Sequence, residues 1–378
     1  MERAGGGQAA PDFSKRAFGL PEHVAYLNCA QVGPLHETVR AAGERALRRK
    51  ETPWRAIPNL FWPELETARA LFAEIVAAPG GAESVAIAPS VSYAMAVAAA
   101  NLPLRPGRAI VVSEGQFPSN HLIWKRKAEE VGGRLIVAPP GEDGAPGAGV
   151  IEAITDDVAI VACDPARWTD GARLDLAAIA AKARSVGAAL VLDLTQIAGA
   201  AAIDLSALDP DFAAAPAYKW LLGPYAQGFL FAAERRWGGA PIEESGGSRA
   251  ADGAYLLGAR RFDMGEKAHY HLTPMTIAGL ELVAALTPLE IERRIAPITE
   301  RLAAIFREAG FAVTPKALRS AHIFSARPPA GLAAEAAQEA LARLDTHVSV
   351  RGGALRISPH LWVDAADEAR LAAALRTL

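Results

Sequence analysis

Short, continuous apolar runs at 85–88, 109–112, 134–137, 158–163, 188–193, 212–216 and 228–231 punctuate the middle of this chain. Apolar positions without in-and-out alternation are what strands buried on both faces require. Most of the intervening stretches carry helical spacing, so strand and helix alternate. That alternation predicts an α/β fold with a mainly parallel sheet covered on both faces. Ahead of it, helical spacing covers 35–50 and 62–78, with Leu65, Ala68, Phe72 and Ile75 on one face of the second helix.

The pattern changes after residue 273. A long helix is predicted over 274–308, interrupted at Pro288, followed by strands at 322–326 and 348–350 and a helix over 333–344. Asp364-Ala365-Ala366-Asp367 has the spacing of a helix cap, and Leu371, Leu375 and Leu378 then share one face. The expected organisation is a loosely ordered leader (1–20), a large domain with its N-terminal helices (21–273), and a linking helix with a small α+β domain (274–378). Residues 238–259 and 141–149 read as loops.

The 378 residues suffice for this arrangement and a substantial core. A net charge of −3 with 21% charged residues is balanced, which disfavours nucleic-acid or membrane-surface partners. No stretch is apolar enough to span a bilayer, and the Gly-rich start lacks the apolar segment of a secretion signal. Two cysteines, Cys29 and Cys163, form no disulfide framework, so a reducing cytoplasm is the expected compartment. No metal-ligating set stands out.

The candidate chemistry centres on Lys219. The run ending in Asp193 is followed by Gln196, Asp204, a second apolar run and Tyr218-Lys219-Trp220-Leu221-Leu222-Gly223-Pro224. Two strands ending on a carboxylate and a lysine place both at one edge of a parallel sheet, where such sheets keep their ligand sites. Lysine forms Schiff bases with carbonyls, and pyridoxal 5'-phosphate (PLP) needs such a lysine with an acid at its pyridine nitrogen.

The segments Asp193-Leu194-Thr195-Gln196, Gly199, Asp204 and Tyr218 to Tyr225 resemble fold-type I PLP enzymes of the class V aminotransferase family, which includes cysteine desulfurases, kynureninases and isopenicillin N epimerase-like proteins. The resemblance implies PLP attached at Lys219, with Asp193 against the ring nitrogen and Gln196 near the 3-hydroxyl. Tyr218 stands where histidine is more frequent, and in kynureninase-like members it reaches the phosphate. Ser90, Val91 and Ser92 open a helix after the first strand of the alternating region, a placement suited to an anion. The resemblance assigns them to the phosphate, Phe117 of Phe117-Pro118-Ser119-Asn120 to the ring, and Asp164 to the cofactor's surroundings. Gly265-Glu266 stands where relatives carry Gly-Thr reaching a phosphate across a dimer interface, so a homodimer is implied. Arg356, in Arg356-Ile357-Ser358-Pro359-His360, matches the family's α-carboxylate anchor, with Asn28 as a second substrate contact; Arg351 precedes it.

The expected activity is transamination or a lyase reaction on a small amino acid. Epimerisation and kynureninase-like hydrolysis stay open as alternatives, because one cofactor shell serves them all. Cysteine desulfurases carry a nucleophilic cysteine before the anchoring arginine, and residues 320–356 contain none, which disfavours a persulfide mechanism. A nicotinamide-dependent oxidoreductase would show G-x-G-x-x-G after the first strand of the sheet, and none is there. A chain that only binds has no use for Lys219, Asp193 and Arg356 together. Trp54, Arg55, His121, Trp124 and Arg260 are candidate specificity residues.

Overall fold

The computed structural model describes residues 10–55, 61–141 and 145–378. A short strand β1 (Ala25–Tyr26) and helices α1 (Glu37–Leu47) and α2 (Phe61–Ile75) come first. The alternating region runs β2 (Val85–Ala88), α3 (Val91–Asn101), β3 (Ala109–Ser113), α4 (Leu122–Val131), β4 (Arg134–Ala138), α5 (Ala148–Ala153), β5 (Val158–Cys163), α6 (Leu176–Ser185), β6 (Ala189–Asp193), α7 (Leu205–Leu208), β7 (Phe212–Pro216) and β8 (Gly228–Ala232). Helices α8 (Leu272–Leu286) and α9 (Pro288–Glu308) lead to β9 (Ala312–Val313), β10 (Phe324–Arg327), α10 (Ala334–Arg343), β11 (Thr346–His347), β12 (Ser349–Arg351), β13 (Ala354–Ile357) and α11 (Ala365–Leu375).

The large sheet has the order β2-β8-β7-β6-β5-β3-β4. Strands β3 to β7 pair in parallel, whereas β8 runs antiparallel to both β7 and β2. Every residue of β2, β3, β6, β7 and β8 is buried, as continuous apolar runs demand when helices cover both faces. The carboxyl ends of β2, β3, β5, β6 and β7 therefore meet along one edge. A separate antiparallel sheet, β12-β13-β10-β9, forms the C-terminal part.

The long predicted helix is two helices whose axes differ by 77°. Thr287 adopts φ 68°, its hydroxyl accepts from the Glu290 amide, and Pro288 starts the second helix. Proline without an N–H is tolerated at that first position but not in a continuous helix. Two further expectations need correction. Leu378 lies beyond the end of α11 and is 40% exposed, not part of its apolar face. The leader is ordered from residue 10: Phe13 stacks on His360, Phe18 packs on Trp362, and Lys15 pairs with buried Asp367 at 2.5 Å. Two aromatics five residues apart, Phe13 and Phe18, set up no periodicity, so sequence pattern alone misses this anchoring. Of the two expected loops, 142–144 lie outside the described residues, and 148–149 already belong to α5.

After this leader the chain crosses from one sheet to the other. β1 pairs in parallel with β11, and Asn28 bridges Ser358 beyond β13. Gly33 then presses against the Lys219 segment, its amide donating to the Tyr218 carbonyl at 2.9 Å. A Cβ at Gly33 would stand 2.4 Å from the Lys219 carbonyl oxygen, and one at Gly199 2.5 Å from that of Trp220. Backbone cannot yield to such overlap without moving the lysine. Gly33→Ala is therefore expected to lower unfolding stability by about 1–3 kcal/mol, the usual cost of overpacking. Gly238→Ala, where nothing lies within 4 Å, should change it by less than about 0.5 kcal/mol in the same urea titration.

Candidate active site

The strand ends converge on a cavity of about 220 Å³. Ser90, Val91 and Ser92 come from the β2–α3 turn, Phe117 and Ser119 from the segment after β3, and Asp164 and Trp168 from that after β5. Asp193, Thr195 and Gln196 follow β6, Tyr218 and Lys219 follow β7, and Tyr225 and Gln227 precede β8.

Ser90 caps α3, its hydroxyl accepting from the Tyr93 amide at 3.1 Å. The first amides of a helix have no intrahelical acceptor, so Val91 and Ser92 present N–H groups at the positive end of the helix dipole. The Ser92 and Ser119 hydroxyls meet at 2.7 Å. Phe117, 44% exposed, stands edge-on to Trp168 with centroids 5.3 Å apart.

Asp193 is buried, and one carboxylate oxygen accepts from the Thr195 amide at 2.9 Å and from its hydroxyl. The other has no hydrogen-bond partner among the described residues. Burial pushes its pKa up, against the pull of Thr195 and of Lys219. A second carboxylate, Asp164, accepts from the Ser113 hydroxyl at 3.1 Å, and burial with the neighbouring Asp193 charge raises it to about 6. Lys219 is 7% exposed; its Nζ forms no hydrogen bond among the described residues and lies 5.5 Å from the Tyr218 ring centroid. Burial, then the nearby Arg356 charge, lowers its pKa to about 8. Gln196 donates to the Ala30 carbonyl at 3.0 Å and accepts from the Trp220 indole at 2.9 Å, leaving one N–H and one lone pair for the cavity. Tyr218 stacks on Tyr225 at 4.0 Å.

Arg356, on β13, is 1% exposed and stands just behind this wall. It donates to the Trp168 carbonyl at 2.8 Å and to the Asn28 side-chain oxygen at 3.4 Å. Burial lowers its pKa to about 9. The structure does not bring every candidate into the cavity: Arg356 and Asn28 are buried but stand outside its lining. The Gly265 amide donates to Glu243 at 2.7 Å, and Gly265 and Glu266 lie outside the lining of their own chain's cavity. Trp124 is fully buried and donates to Asn120, and Arg260 pairs with Glu66 at 2.5 Å, so both serve packing. Trp54, 76% exposed, does not line the cavity, nor do Arg55 and His121. Trp168, Thr195, Ser119, Tyr225 and Gln227 line it without having been singled out. Thr195 and Tyr225 lay inside the family-like segments, so their proximity was available; Trp168 depends on how the loop after β5 folds.

The cavity suits PLP. It joins an unpaired primary amine, an unpaired buried carboxylate oxygen and free helix-start amides, the partners that a carbonyl, a ring nitrogen and a phosphate require. Comparison with known proteins agrees. The sequence pattern of "Aminotransferase class-V" matches residues 56–353. A kynureninase of Deinococcus radiodurans is 31% identical over 297 residues, covering 72% of this chain and 67% of that protein. An isopenicillin N epimerase of Streptomyces clavuligerus is 26% identical over 387 residues, covering 95% and 96%. Among solved structures, a C-DES variant with glycine covalently linked to its PLP cofactor superposes with a TM-score of 0.89 at 20% identity, covering 97% and 99%. A cysteine desulfurase of Thermococcus onnurineus gives 0.85 at 18%, covering 97% of each chain.

This chain belongs to the class V aminotransferase family and has the fold of fold-type I PLP enzymes. Its cofactor is pyridoxal 5'-phosphate.

Only the neutral amine of Lys219 is a nucleophile, and it gains that form as pH rises through about 8. Reconstitution of cofactor-free protein, followed by visible absorbance, is expected to be about tenfold slower at pH 7 than on the plateau above pH 9. A rate that keeps climbing to pH 10.5 would show that the amine is not perturbed.

Proposed function

We propose that this enzyme acts at the Cα of a small amino acid, as a transaminase or a lyase. The observation that carries the reading is the Lys219 amine, buried and without a hydrogen bond among the described residues, its pKa lowered to about 8 by burial and by Arg356, which itself has no carboxylate partner among those residues. When bound, PLP supplies a carbonyl carbon for attachment and a cationic ring that draws electrons from Cα. Lys219 is the attachment point and, once released, the base and acid that moves the Cα proton. Asp193 would hold the proton on the ring nitrogen, since an opposite charge within a few ångströms favours the ionised form of each partner. The Val91 and Ser92 amides, with the Ser90 and Ser92 hydroxyls and Tyr218, hold the phosphate. Phe117, Asp164 and Gln196 orient the ring. Arg356 takes the substrate α-carboxylate through charge-assisted hydrogen bonds, and Asn28 steers its guanidinium.

Several features support the rest of the assignment. Cys29 and Cys163 are free and fully buried, and burial raises both thiols, so neither is a poised nucleophile; this disfavours desulfurase chemistry. The epimerase aligns from end to end, which makes epimerisation the second reading. We place the protein in the cytoplasm, where unpaired cysteines persist. A homodimer is the proposed active assembly: Gly265-Glu266 lies outside its own chain's cavity, and Leu257 (77% exposed) and Tyr225 (59%) offer apolar surface for a partner.

Borohydride reduction of the holoenzyme and peptide mapping should place the cofactor on the Tyr218-Lys219 peptide. Modification of another lysine would overturn the assignment. Screening amino acids while scoring keto-acid formation, ammonia release and loss of optical activity separately identifies the reaction; loss of optical activity alone would select epimerisation. Asp193→Asn is expected to retain cofactor and lose at least about a hundredfold in kcat, because an amide cannot keep the ring nitrogen protonated. Undiminished turnover would remove Asp193 from that role.

A further inference from the structure

Arg356 does not stand alone. β12 and β13 form a hairpin whose turn, Gly352-Gly353, has φ of 56° and 71°, the left-handed pair of a tight two-residue hairpin. Arg351 lies opposite Ala354, and Ser349 opposite Arg356. Cross-strand partners and alternate residues share a face, so both arginines project from the same side. The Arg351 guanidinium sits 5.5 Å from the ring centroid of Trp168, a wall of the cavity whose carbonyl accepts from Arg356.

The partners of these two cations set them apart. Arg356 donates to the Asn28 side-chain oxygen, and the Asn28 amide donates to Gln31 Oε1 at 3.0 Å. Arg351 donates to that same Gln31 oxygen at 3.5 Å and to the Val350 carbonyl at 2.6 Å. Every acceptor in this chain of bonds is neutral. Each arginine also keeps a buried Nε without a hydrogen-bond partner, and neither forms an ion pair among the described residues. Arg356 is buried and Arg351 half-buried, whereas the buried Arg69 and Arg319 are matched by Asp263 at 2.8 Å and Glu300 at 2.5 Å. Burial lowers the pKa of both hairpin arginines, and the positive charge of each also depresses Lys219. Two partly desolvated guanidiniums without counter-charge call for two anionic groups. An α-carboxylate supplies one.

We propose that Arg351 receives a second carboxylate, carried on the substrate's side chain, so that the substrate class is the 2-amino dicarboxylic acids. This rests on the amino-acid reading above and narrows it. Asn28 and Gln31 hold the two guanidiniums at a set spacing, so the site measures the distance between the carboxylates. Trp168 covers one face of Arg351 and strengthens a charge-assisted bond there by excluding water. Amino acids with cationic side chains are repelled.

The test is titration of the holoenzyme, followed through the cofactor absorption, with aspartate, glutamate and 2-aminoadipate. Each is compared with an uncharged analogue: asparagine, glutamine and norleucine. For at least one chain length the acid should bind at least about tenfold more tightly than its analogue. Arg351→Gln should bring that ratio near one, Arg351→Lys should keep part of it, and Arg356→Ala should weaken acid and analogue alike. An unaltered cofactor spectrum shows that each variant is folded. A ratio near one at all three lengths in the wild type, or a ratio that survives Arg351→Gln, would overturn the dicarboxylate inference while the analogue titrations still uphold an amino-acid enzyme. If no amino acid perturbs the spectrum, the proposed function falls and this inference with it.

Discussion

Burial of a single primary amine without a hydrogen-bond partner governs much of this structure. An ammonium at Lys219 pays a desolvation cost that Asp193 only partly offsets, while Arg356 and Arg351 add repulsion. The amine thereby sheds its proton near pH 8, well below the range of a free lysine. That state survives only if the lysine cannot swing to solvent, and the surrounding backbone prevents it. Gly33 and Gly199 approach the Lys219–Trp220 carbonyls too closely for any side chain, and Leu222 takes φ 56° to turn the segment back toward β8. Strain and close contact of this kind are characteristic of sites that must hold one geometry.

The charge pattern divides the cavity. Two buried carboxylates, Asp164 and Asp193, line it at the sheet edge, and the Arg351 and Arg356 guanidiniums stand outside the lining, against Trp168. Lys219 is acted on by Asp193 and by both arginines. Asp164 is the less expected member: burial, then the neighbouring Asp193 charge, raises its pKa to about 6, so it stays mostly ionised at pH 7 and takes up a proton only in mildly acidic solution. A protonated acid donates a hydrogen bond where an ionised one only accepts, so this residue offers the cavity a donor only below about pH 6.

The arginine side is built by the crossing of chain from the N-terminal segment into the C-terminal sheet. β1 adds to β11, Leu27 exchanges backbone bonds with His347 and Ser358, and Asn28 is thereby carried to Arg356. On the opposite flank, His322 meets the Gln196 carbonyl at 2.6 Å and stands edge-on to Trp220. Both are fully buried, so the small domain and the strand ends are registered through packed, hydrogen-bonded contacts. Those contacts fix where Arg351 and Arg356 stand relative to Lys219.

The alternating apolar runs were enough to establish an α/β sheet, because strands buried on both faces leave no other pattern. The lysine and the aspartate closing two of those runs were legible for the same reason: a strand's end is a place in the fold. Ser90 was legible as a helix cap, which is a local property. What the pattern could not convey was anything depending on approach between distant segments. The docking of Phe13, Lys15 and Phe18 rests on partners more than 300 residues away, and Trp168 becomes a wall only when the loop after β5 folds across Phe117. Gly265-Glu266, read from its family-like setting, lies away from its own chain's cavity. The charge state of the site was equally hidden, since a residue's pKa depends on burial and neighbours that sequence does not display. The sequence by itself determined the strand order of chemistry along the chain; the tertiary structure decided which charges face one another, because only packing removes the water that would otherwise screen them.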